Sequence, residues 1–163
     1  MKYHIQKCNL SEVAGETAAT CRPHLESQGF RFDFRAPEEQ ISVNGDRDAL
    51  AQVLMNLLSN AEKYSDSRKE IVLELRTKSN PLPHAEVRVM DRGLGVPGGC
   101  EEKIFEQFYR AHDSLSSGIQ GSGLGLTLAR QIARAHGGEI GYEPREGGGS
   151  CFTVRLPLLT DHS

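Results

Sequence analysis

The stretch Gly121-Ser122-Gly123-Leu124-Gly125-Leu126 decides the fold around the candidate site, because apolar spacing predicts a helix directly after it. Glycines let a ligand approach the backbone closely, and Ser122 adds a hydroxyl donor. The first N–H groups of a helix lack intrahelical partners, and the helix dipole makes that end positive. A flexible linker is the alternative, but linkers seldom interleave leucine with glycine before an amphipathic helix. The stretch therefore predicts a phosphate-binding loop.

A second glycine-containing stretch, Asp91-Arg92-Gly93-Leu94-Gly95, follows an apolar strand candidate at residues 86–90. The Asp91 carboxylate can accept a hydrogen bond from the exocyclic amine of adenine, whereas the oxygen of guanine would be repelled. Gly93 and Gly95 allow the base to approach the backbone. An ordinary Asp-x-Gly turn is the alternative for this stretch. We predict that Asp91 selects adenine.

The clearest helix candidate spans residues 46–64 and has an apolar and a polar side. Its apolar residues are Leu50, Val53, Leu54, Leu57, Leu58 and Ala61, and a strip beside them contains Asn56, Asn60, Lys63 and Tyr64. A carboxamide oxygen is a hard neutral ligand suited to Mg²⁺, and a lysine can offset phosphate charge. Asn60 is therefore the candidate metal ligand. The alternative is that the polar strip only borders the core.

Composition and charge exclude several classes of function. The chain has 163 residues, enough for one domain, and its 19 basic and 22 acidic residues form no basic stripe, so we expect no nucleic-acid partner. Its 4 cysteines are far apart, which favours reduced thiols over a disulfide framework or a zinc site. No apolar run reaches the roughly 20 residues that span a bilayer. We expect a soluble, cytoplasmic chain without direct membrane contact.

The rest of the pattern mixes helices and strands without regular βαβ alternation. Strand candidates are residues 3–6, 30–34, 41–43, 71–76, 86–90, 139–142 and 151–156. Two helices begin at the N-cap candidates Asn9 and Asp46, a short one covers residues 101–107, and a last one ends before Gly137. This order predicts an α+β fold, with helices on one face of a mixed, largely antiparallel sheet.

Residues 111–122 are polar and rich in Ser and Gly, which is typical of a mobile loop, and we expect them to form a lid. Phe105, Phe108 and Tyr109 precede the loop with the spacing of packing residues that anchor its base. Arg110 can contact phosphate or pair with a carboxylate.

Together these segments resemble the catalytic ATP-binding domain of sensor histidine kinases, in the superfamily that includes DNA gyrase, the heat-shock chaperone ATPase and the mismatch-repair ATPases. Residues 56–64 resemble the N box, 91–97 the first glycine box, 104–110 the F box and 121–126 the second glycine box. Four boxes in the family order cover most of the chain.

The resemblance implies a Bergerat-type two-layer α/β sandwich that holds ATP and Mg²⁺ between the N-box helix and the lid. It implies that Asn60 holds magnesium, that Asp91 holds adenine, and that Lys63 and the second glycine box hold the phosphates. The implied nucleotide-binding residues are Asn56, Asn60, Lys63, Tyr64, Asp91, Gly93, Gly95, Arg110, Gly121, Ser122, Gly123, Leu124 and Gly125.

The resemblance also bears on the reaction. Hydrolytic members that resemble gyrase carry a Glu four residues before the magnesium Asn, where this chain has Asn56, which cannot act as a base. Transfer of the γ-phosphate to a protein histidine, for relay to a response regulator, is therefore implied rather than rapid hydrolysis.

None of the 6 histidines has the acidic residue and proline that follow the family phosphoacceptor. We expect the acceptor and its dimerisation domain to lie outside this chain, whether in the same protein or another. The chain would then be the cytoplasmic part of a sensor, with no catalytic residue beyond the ATP site.

Three other functions remain open from the sequence. A serine/threonine kinase resembling the anti-sigma-factor kinases would leave acid-stable phosphate, and a regulatory module would bind nucleotide without transfer. A dinucleotide-binding module is the third, since Gly93, Gly95 and Gly98 satisfy G-x-G-x-x-G after a strand. Pro97 inside that motif, and the missing acidic residue about 20 positions later, argue against it.

Overall fold

Five strands form the main sheet of the computed structural model. The structure describes residues 2–65, 67–93, 103–105 and 125–159. The elements are β1 (Gln6–Asn9), α1 (Leu10–Ser27), β2 (Arg31–Arg35), β3 (Ser42–Gly45), α2 (Arg47–Lys63), β4 (Glu70–Lys78), β5 (His84–Asp91), a 3₁₀ turn (Lys103–Phe105), α3 (Gly125–Ala135), β6 (Glu139–Pro144) and β7 (Ser150–Pro157). The strand order is β2-β4-β5-β7-β6; β2 and β4 are parallel and the other neighbours antiparallel. β1 and β3 pair separately. The predicted α+β architecture is confirmed.

Helix α2 forms because its start is capped and its apolar side is buried. Asp46 Oδ1 accepts hydrogen bonds from the backbone N–H groups of Asp48 and Ala49, at 3.0 and 3.2 Å. All the predicted apolar positions of this helix are at most 2% exposed. Burying one leucine contributes about 1.5–3 kcal/mol, so packing stabilises α2 more than helix propensity does. Within the described ranges, no helix combines the length and apolar character needed to cross a membrane.

Strand β5 shows how the two faces of the sheet differ. Its residues Ala85, Val87 and Val89 join the main core, and Glu86, Arg88 and Met90 alternate to the opposite face. The three helices in the described part of the chain pack on the first face. On the opposite face, Met90 joins Val72 and Cys151 in a small separate apolar cluster. The same alternation places Asp91, the last residue of β5, on the face covered by helices.

The sequence prediction for the first strand is wrong. Residues 3–5 are not in a strand; β1 begins at Gln6, the last residue of the predicted strand, which lies opposite Gly45 of β3. Apolar alternation alone could not locate the strand, because its pairing partner sets the register. Asn9 both ends β1 and caps α1, accepting a hydrogen bond from Glu12 N at 3.0 Å. In the predicted helix 101–107, the described part is the 3₁₀ turn.

His136 joins the end of α3 to the start of α2. Its Nε2 accepts a hydrogen bond from Asp46 N at 3.0 Å, so the ring proton is on Nδ1, which donates to Ile132 O at 2.8 Å. Gly45 lies beside this ring, and a Cβ there would lie 2.7 Å from Leu50 Cδ1 and 3.0 Å from His136 Cδ2. The contact fixes the relative position of the two helices that border the candidate site.

Charged side chains pair across the strands on the face away from the helices. Glu86 is the most enclosed, with its side chain 7% exposed. Arg76 donates to it at 2.8 Å and Arg155 at 3.3 Å, and His84 lies 3.2 Å away. Burial by itself would raise the pKa of Glu86, but hydrogen bonds from Arg76 and His84 and the charges of both arginines outweigh burial and lower it.

We expect Glu86→Gln to reduce the free energy of unfolding at pH 7 by about 1–3 kcal/mol, because charge-assisted hydrogen bonds are lost. Since folding lowers the pKa of Glu86, its stabilisation is complete above the unfolded pKa and is lost as pH falls through the folded pKa. Below about pH 5, the variant should therefore lose stability less steeply than the wild type. Urea denaturation at several pH values measures both effects.

Glu26→Gln is the matched control, because it removes an exposed ion pair with Arg22. We expect it to change stability by less than about 0.5 kcal/mol. Equal losses in the two variants would contradict the role assigned to Glu86.

Candidate functional site

Asp91 is a buried carboxylate, 3% exposed, at the end of β5. Its Oδ1 accepts hydrogen bonds from Gly93 N at 2.7 Å and from Ser150 N at 3.3 Å. A buried carboxylate is costly unless donors satisfy it, and these two amides do so. The carboxylate predicted to select adenine is therefore held by backbone from two separate segments.

Two glycines allow the chain to pack tightly around Asp91. A Cβ at Gly93 would lie 2.0 Å from the carbonyl oxygen of Tyr64, and one at Gly149 would lie 2.0 Å from the carbonyl oxygen of Asp91. Gly149 also has a φ of +107°, which residues with side chains rarely adopt. Gly93 thus brings the stretch after β5 against the C-terminal end of α2.

The polar strip on α2 contains both occupied and available side chains. Asn56 Oδ1 accepts from Gln52 Nε2 at 2.6 Å, and Asn56 Nδ2 donates to the Gly125 carbonyl oxygen at 3.1 Å. Asn60 is half-buried, and its carboxamide has no hydrogen-bond partner among the described residues. Lys63 is exposed and makes no ion pair in the described part of the chain. Asn60 and Lys63 are therefore available to a ligand.

Tyr64, the remaining member of the predicted strip, is the C-cap of α2. Its backbone N–H donates to the carbonyl oxygen of Asn60 at 3.2 Å. Its own carbonyl oxygen meets Gly93, so the structure assigns it a backbone role in joining α2 to the stretch after β5.

The start of α3 is anchored on a buried aromatic residue. Thr127 Oγ1 donates to the Phe105 carbonyl oxygen at 2.9 Å, and the Arg130 guanidinium lies 4.6 Å from the Phe105 ring centroid. Phe105 is 5% exposed and packs edge-on against Phe152, so its predicted packing role is confirmed. Gly125 is the first residue of α3, and a Cβ there would meet no described atom within 4 Å.

The described parts of the two glycine-containing stretches both contact α2. Gly93 contacts Tyr64 at the end of the helix, and Gly125 contacts Asn56 about two turns earlier. Asn60 lies between them, about one turn from each. A buried carboxylate, an unpaired carboxamide and a helix N-terminus thus border one strip. This combination suits a ligand with an amine-bearing base at one end and phosphates at the other.

Several predicted residues lie outside the described residues. They are Gly95, Arg110, Gly121, Ser122, Gly123 and Leu124, together with Phe108, Tyr109 and the lid at 111–122. Their roles stay predictions.

Ser150 and Gly149 support Asp91, and sequence reasoning misses both. The available signal is the run of three glycines at residues 147–149, which all have positive φ values of 85°, 107° and 107°. Such a run indicates a close backbone approach. Which segment it approaches depends on β7 lying beside β5 in the sheet, and local spacing does not reveal that neighbour.

Three kinds of similarity to known proteins agree with one another. The family model for histidine kinase-, DNA gyrase B- and HSP90-like ATPases matches residues 45–160. Sensor protein KdpD of Escherichia coli (strain K12) is 36% identical over 151 residues, which are 93% of this chain and 16% of KdpD. Sensor protein kinase WalK of Staphylococcus aureus is 36% identical over 137 residues, or 83% of this chain and 32% of WalK. The catalytic domain of histidine kinase ThkA has a TM-score of 0.80 and 29% identity, covering 94% of this chain and 95% of that domain.

We expect Gly93→Ala to lower the free energy of unfolding by about 1–3 kcal/mol, because the added Cβ would overlap the Tyr64 carbonyl and force the backbone apart. Gly15→Ala in α1 is the control: its nearest atom is 3.9 Å away, and the substitution should stabilise by about 0.5–1 kcal/mol. Urea denaturation compares the two variants. Wild-type stability in Gly93→Ala would contradict the close contact between this stretch and α2.

Proposed function

The chain belongs to the histidine kinase-, DNA gyrase B- and HSP90-like ATPase family, and on that premise we propose that it binds Mg-ATP and donates the γ-phosphate to a histidine on a separate dimerisation domain. A response regulator then receives the phosphate, as a step in two-component signalling. The supporting observation is that Asp91, Asn60 and the start of α3 border one strip of α2. Similarity to two sensor kinases supports the same assignment.

In this proposal Asp91 recognises the base. The exocyclic amine of adenine donates to the carboxylate, whereas guanine would place an oxygen acceptor against it. The bonds from Gly93 and Ser150 hold the carboxylate in place before the base arrives, so little conformational freedom is lost on binding.

The phosphates and Mg²⁺ bind nearer the middle of α2. Asn60 fits Mg²⁺ because its neutral carboxamide is unpaired among the described residues, whereas the carboxamide of Asn56 is occupied by Gln52 and Gly125. When bound, Mg²⁺ supplies charge neutralisation for the transferring phosphate. Lys63 and the α3 N-terminus offset the remaining charge. The part of the predicted phosphate loop at 121–124 lies outside the described residues.

Asn56 favours transfer to a protein side chain over hydrolysis. A carboxamide cannot remove a proton from an attacking water, and this one is already bonded to Gln52 and to the backbone of Gly125. The side chain therefore positions the start of α3 on α2. Without a base for water, productive reaction depends on a protein nucleophile brought to the γ-phosphate.

Two of the four histidines in the described part of the chain, His84 and His136, are committed to contacts within the fold. His136 bonds through both ring nitrogens to Asp46 N and Ile132 O. His84 likewise contacts Leu82 O and Glu86 with its two nitrogens. Neither ring presents an uncommitted nitrogen, so neither of these two histidines is an available acceptor.

For nucleotide binding, we expect calorimetric titration with Mg²⁺ present to show that the wild type binds ATP and excludes GTP. Asp91→Asn should weaken ATP binding at least about tenfold, because a buried charge-assisted hydrogen bond is lost. Asp33→Asn, which changes a carboxylate 36% exposed on β2, is the control and should bind ATP normally. Equal wild-type binding of ATP and GTP would rule out base selection by Asp91.

For phosphoryl transfer, we expect γ-labelled ATP and a purified histidine-bearing dimerisation domain to give acid-labile phosphate on that domain. Asn60→Ala should reduce the rate at least about tenfold, because loss of a metal contact weakens the site. Ser59→Ala, at an exposed neighbouring position, should retain the wild-type rate. Acid-stable label would instead support a serine or threonine acceptor, and rapid release of free phosphate would contradict the role given to Asn56.

A further inference from the structure

An open cavity of about 570 Å³ lies on the face of the sheet away from the helices. We call it the arginine pocket; the residues that matter here are Arg88, Arg92, Arg145, Glu143, Glu146 and Cys151. Side chains point alternately to the two faces of a sheet, and Arg88 and Cys151 lie on the face opposite the main core. The sheet therefore separates this pocket from the Asp91 carboxylate. Its volume is within the range of pockets that bind small molecules.

Arg145 has hydrogen-bonding capacity that the protein leaves unused. Its side chain is 14% exposed, and its Nη2 donates to Glu70 at 2.9 Å. Its Nη1 is the one buried side-chain nitrogen or oxygen without a partner in the described part of the chain. Buried donors are almost always satisfied in proteins, so an acceptor that reaches this nitrogen after a small movement of the Arg145 side chain would be favoured.

Arg92 makes no ion pair with a described carboxylate, although its charge contributes to lowering the pKa of Glu70. Its Nη1 donates to the carbonyl oxygens of Glu146 and Gly148, and no carboxylate lies within ion-pair distance of it among the described residues. Arg88, by contrast, is paired with Glu74 at 2.9 Å. Two of the three guanidinium groups can therefore bind an anion, and their planar N–H geometry suits oxyanions.

The two glutamates in the lining determine which oxyanion fits. Glu143 and Glu146 are exposed carboxylates, which accept hydrogen bonds and repel groups that have no proton to donate. Sulfate has only acceptor oxygens, whereas hydrogen phosphate carries a P–OH donor as well. A pocket with both arginine donors and glutamate acceptors therefore matches hydrogen phosphate.

We propose that the arginine pocket binds hydrogen phosphate, either as the free ion or as the singly ionised group of a small phosphate monoester, which keeps its P–OH below a pKa of about 6. Arg92 and Arg145 donate to its oxygens, and Glu143 or Glu146 accepts from its P–OH group. The site lies across the sheet from the start of α3, so it is distinct from the nucleotide site and does not depend on the function proposed above.

The test titrates the isotope-labelled 163-residue chain with inorganic phosphate in the absence of nucleotide, and follows backbone amide shifts by NMR. We expect saturable shifts at residues 143–151. Sulfate at matched ionic strength should bind at least about tenfold more weakly, because it cannot donate to the glutamates. Glycerol 3-phosphate is the third arm, compared with phosphate at about pH 5, where both carry a P–OH group. Saturable binding there assigns the site to monoesters as well, and its failure beside phosphate binding assigns it to the free ion.

Arg145→Gln and Arg92→Gln should each weaken phosphate binding at least about tenfold. Arg92→Gln remains informative if loss of the Glu70 pair disturbs the fold of Arg145→Gln, because Arg92 bonds only to carbonyl oxygens. Arg35→Gln, 57% exposed on β2, is the control and should bind phosphate normally. Three outcomes would overturn the proposal. They are amide shifts that rise linearly with phosphate concentration, equal affinity for sulfate, and shifts confined to the surroundings of Asn60 and Gly125.

Discussion

A buried carboxylate at a strand end constrains the whole candidate site. Asp91 is 3% exposed, and enclosing a charge without donors would be costly. The chain supplies those donors from Gly93, two residues further on, and from Ser150 at the start of β7. Both segments come close enough only because Gly93 and Gly149 lack side chains. One carboxylate therefore fixes the path of the chain after β5 and the approach of the β6–β7 turn.

Helix α2 connects this carboxylate to the other half of the site. Its apolar side anchors it in the core, and its polar strip receives Gly93 at one end and Gly125 at the other. Asn56 and Asn60 are the same residue type four positions apart, yet their roles differ. Asn56 is occupied by Gln52 and Gly125 and positions α3, whereas Asn60 has no hydrogen-bond partner in the described part of the chain. Their neighbours, rather than their chemistry, give Asn56 a structural role and leave Asn60 for the proposed metal site.

Strand alternation gives the sheet two chemically different faces. The helix-covered face holds the main core and the Asp91 carboxylate, and the opposite face carries paired arginines and glutamates. On that face, Arg88 contacts Cys151, part of the small apolar cluster beneath the charged side chains. The sheet thus keeps a nucleotide-type site and an arginine-lined pocket apart while both use the same strands.

Features that depend on local spacing are predictable from sequence. The buried stripe of α2 and the caps at Asn9 and Asp46 follow from residues within a few positions of one another. The prediction that Asp91 selects adenine rests on the same kind of local pattern and stays a prediction. Tertiary structure decided the features with distant partners. The start of β1 depends on its pairing with β3; Ser150 reaches Asp91 across 59 residues, and Gly125 reaches Asn56 across 69. Sequence spacing specifies which face a side chain occupies, but its hydrogen-bond partner is decided only when distant segments pack together.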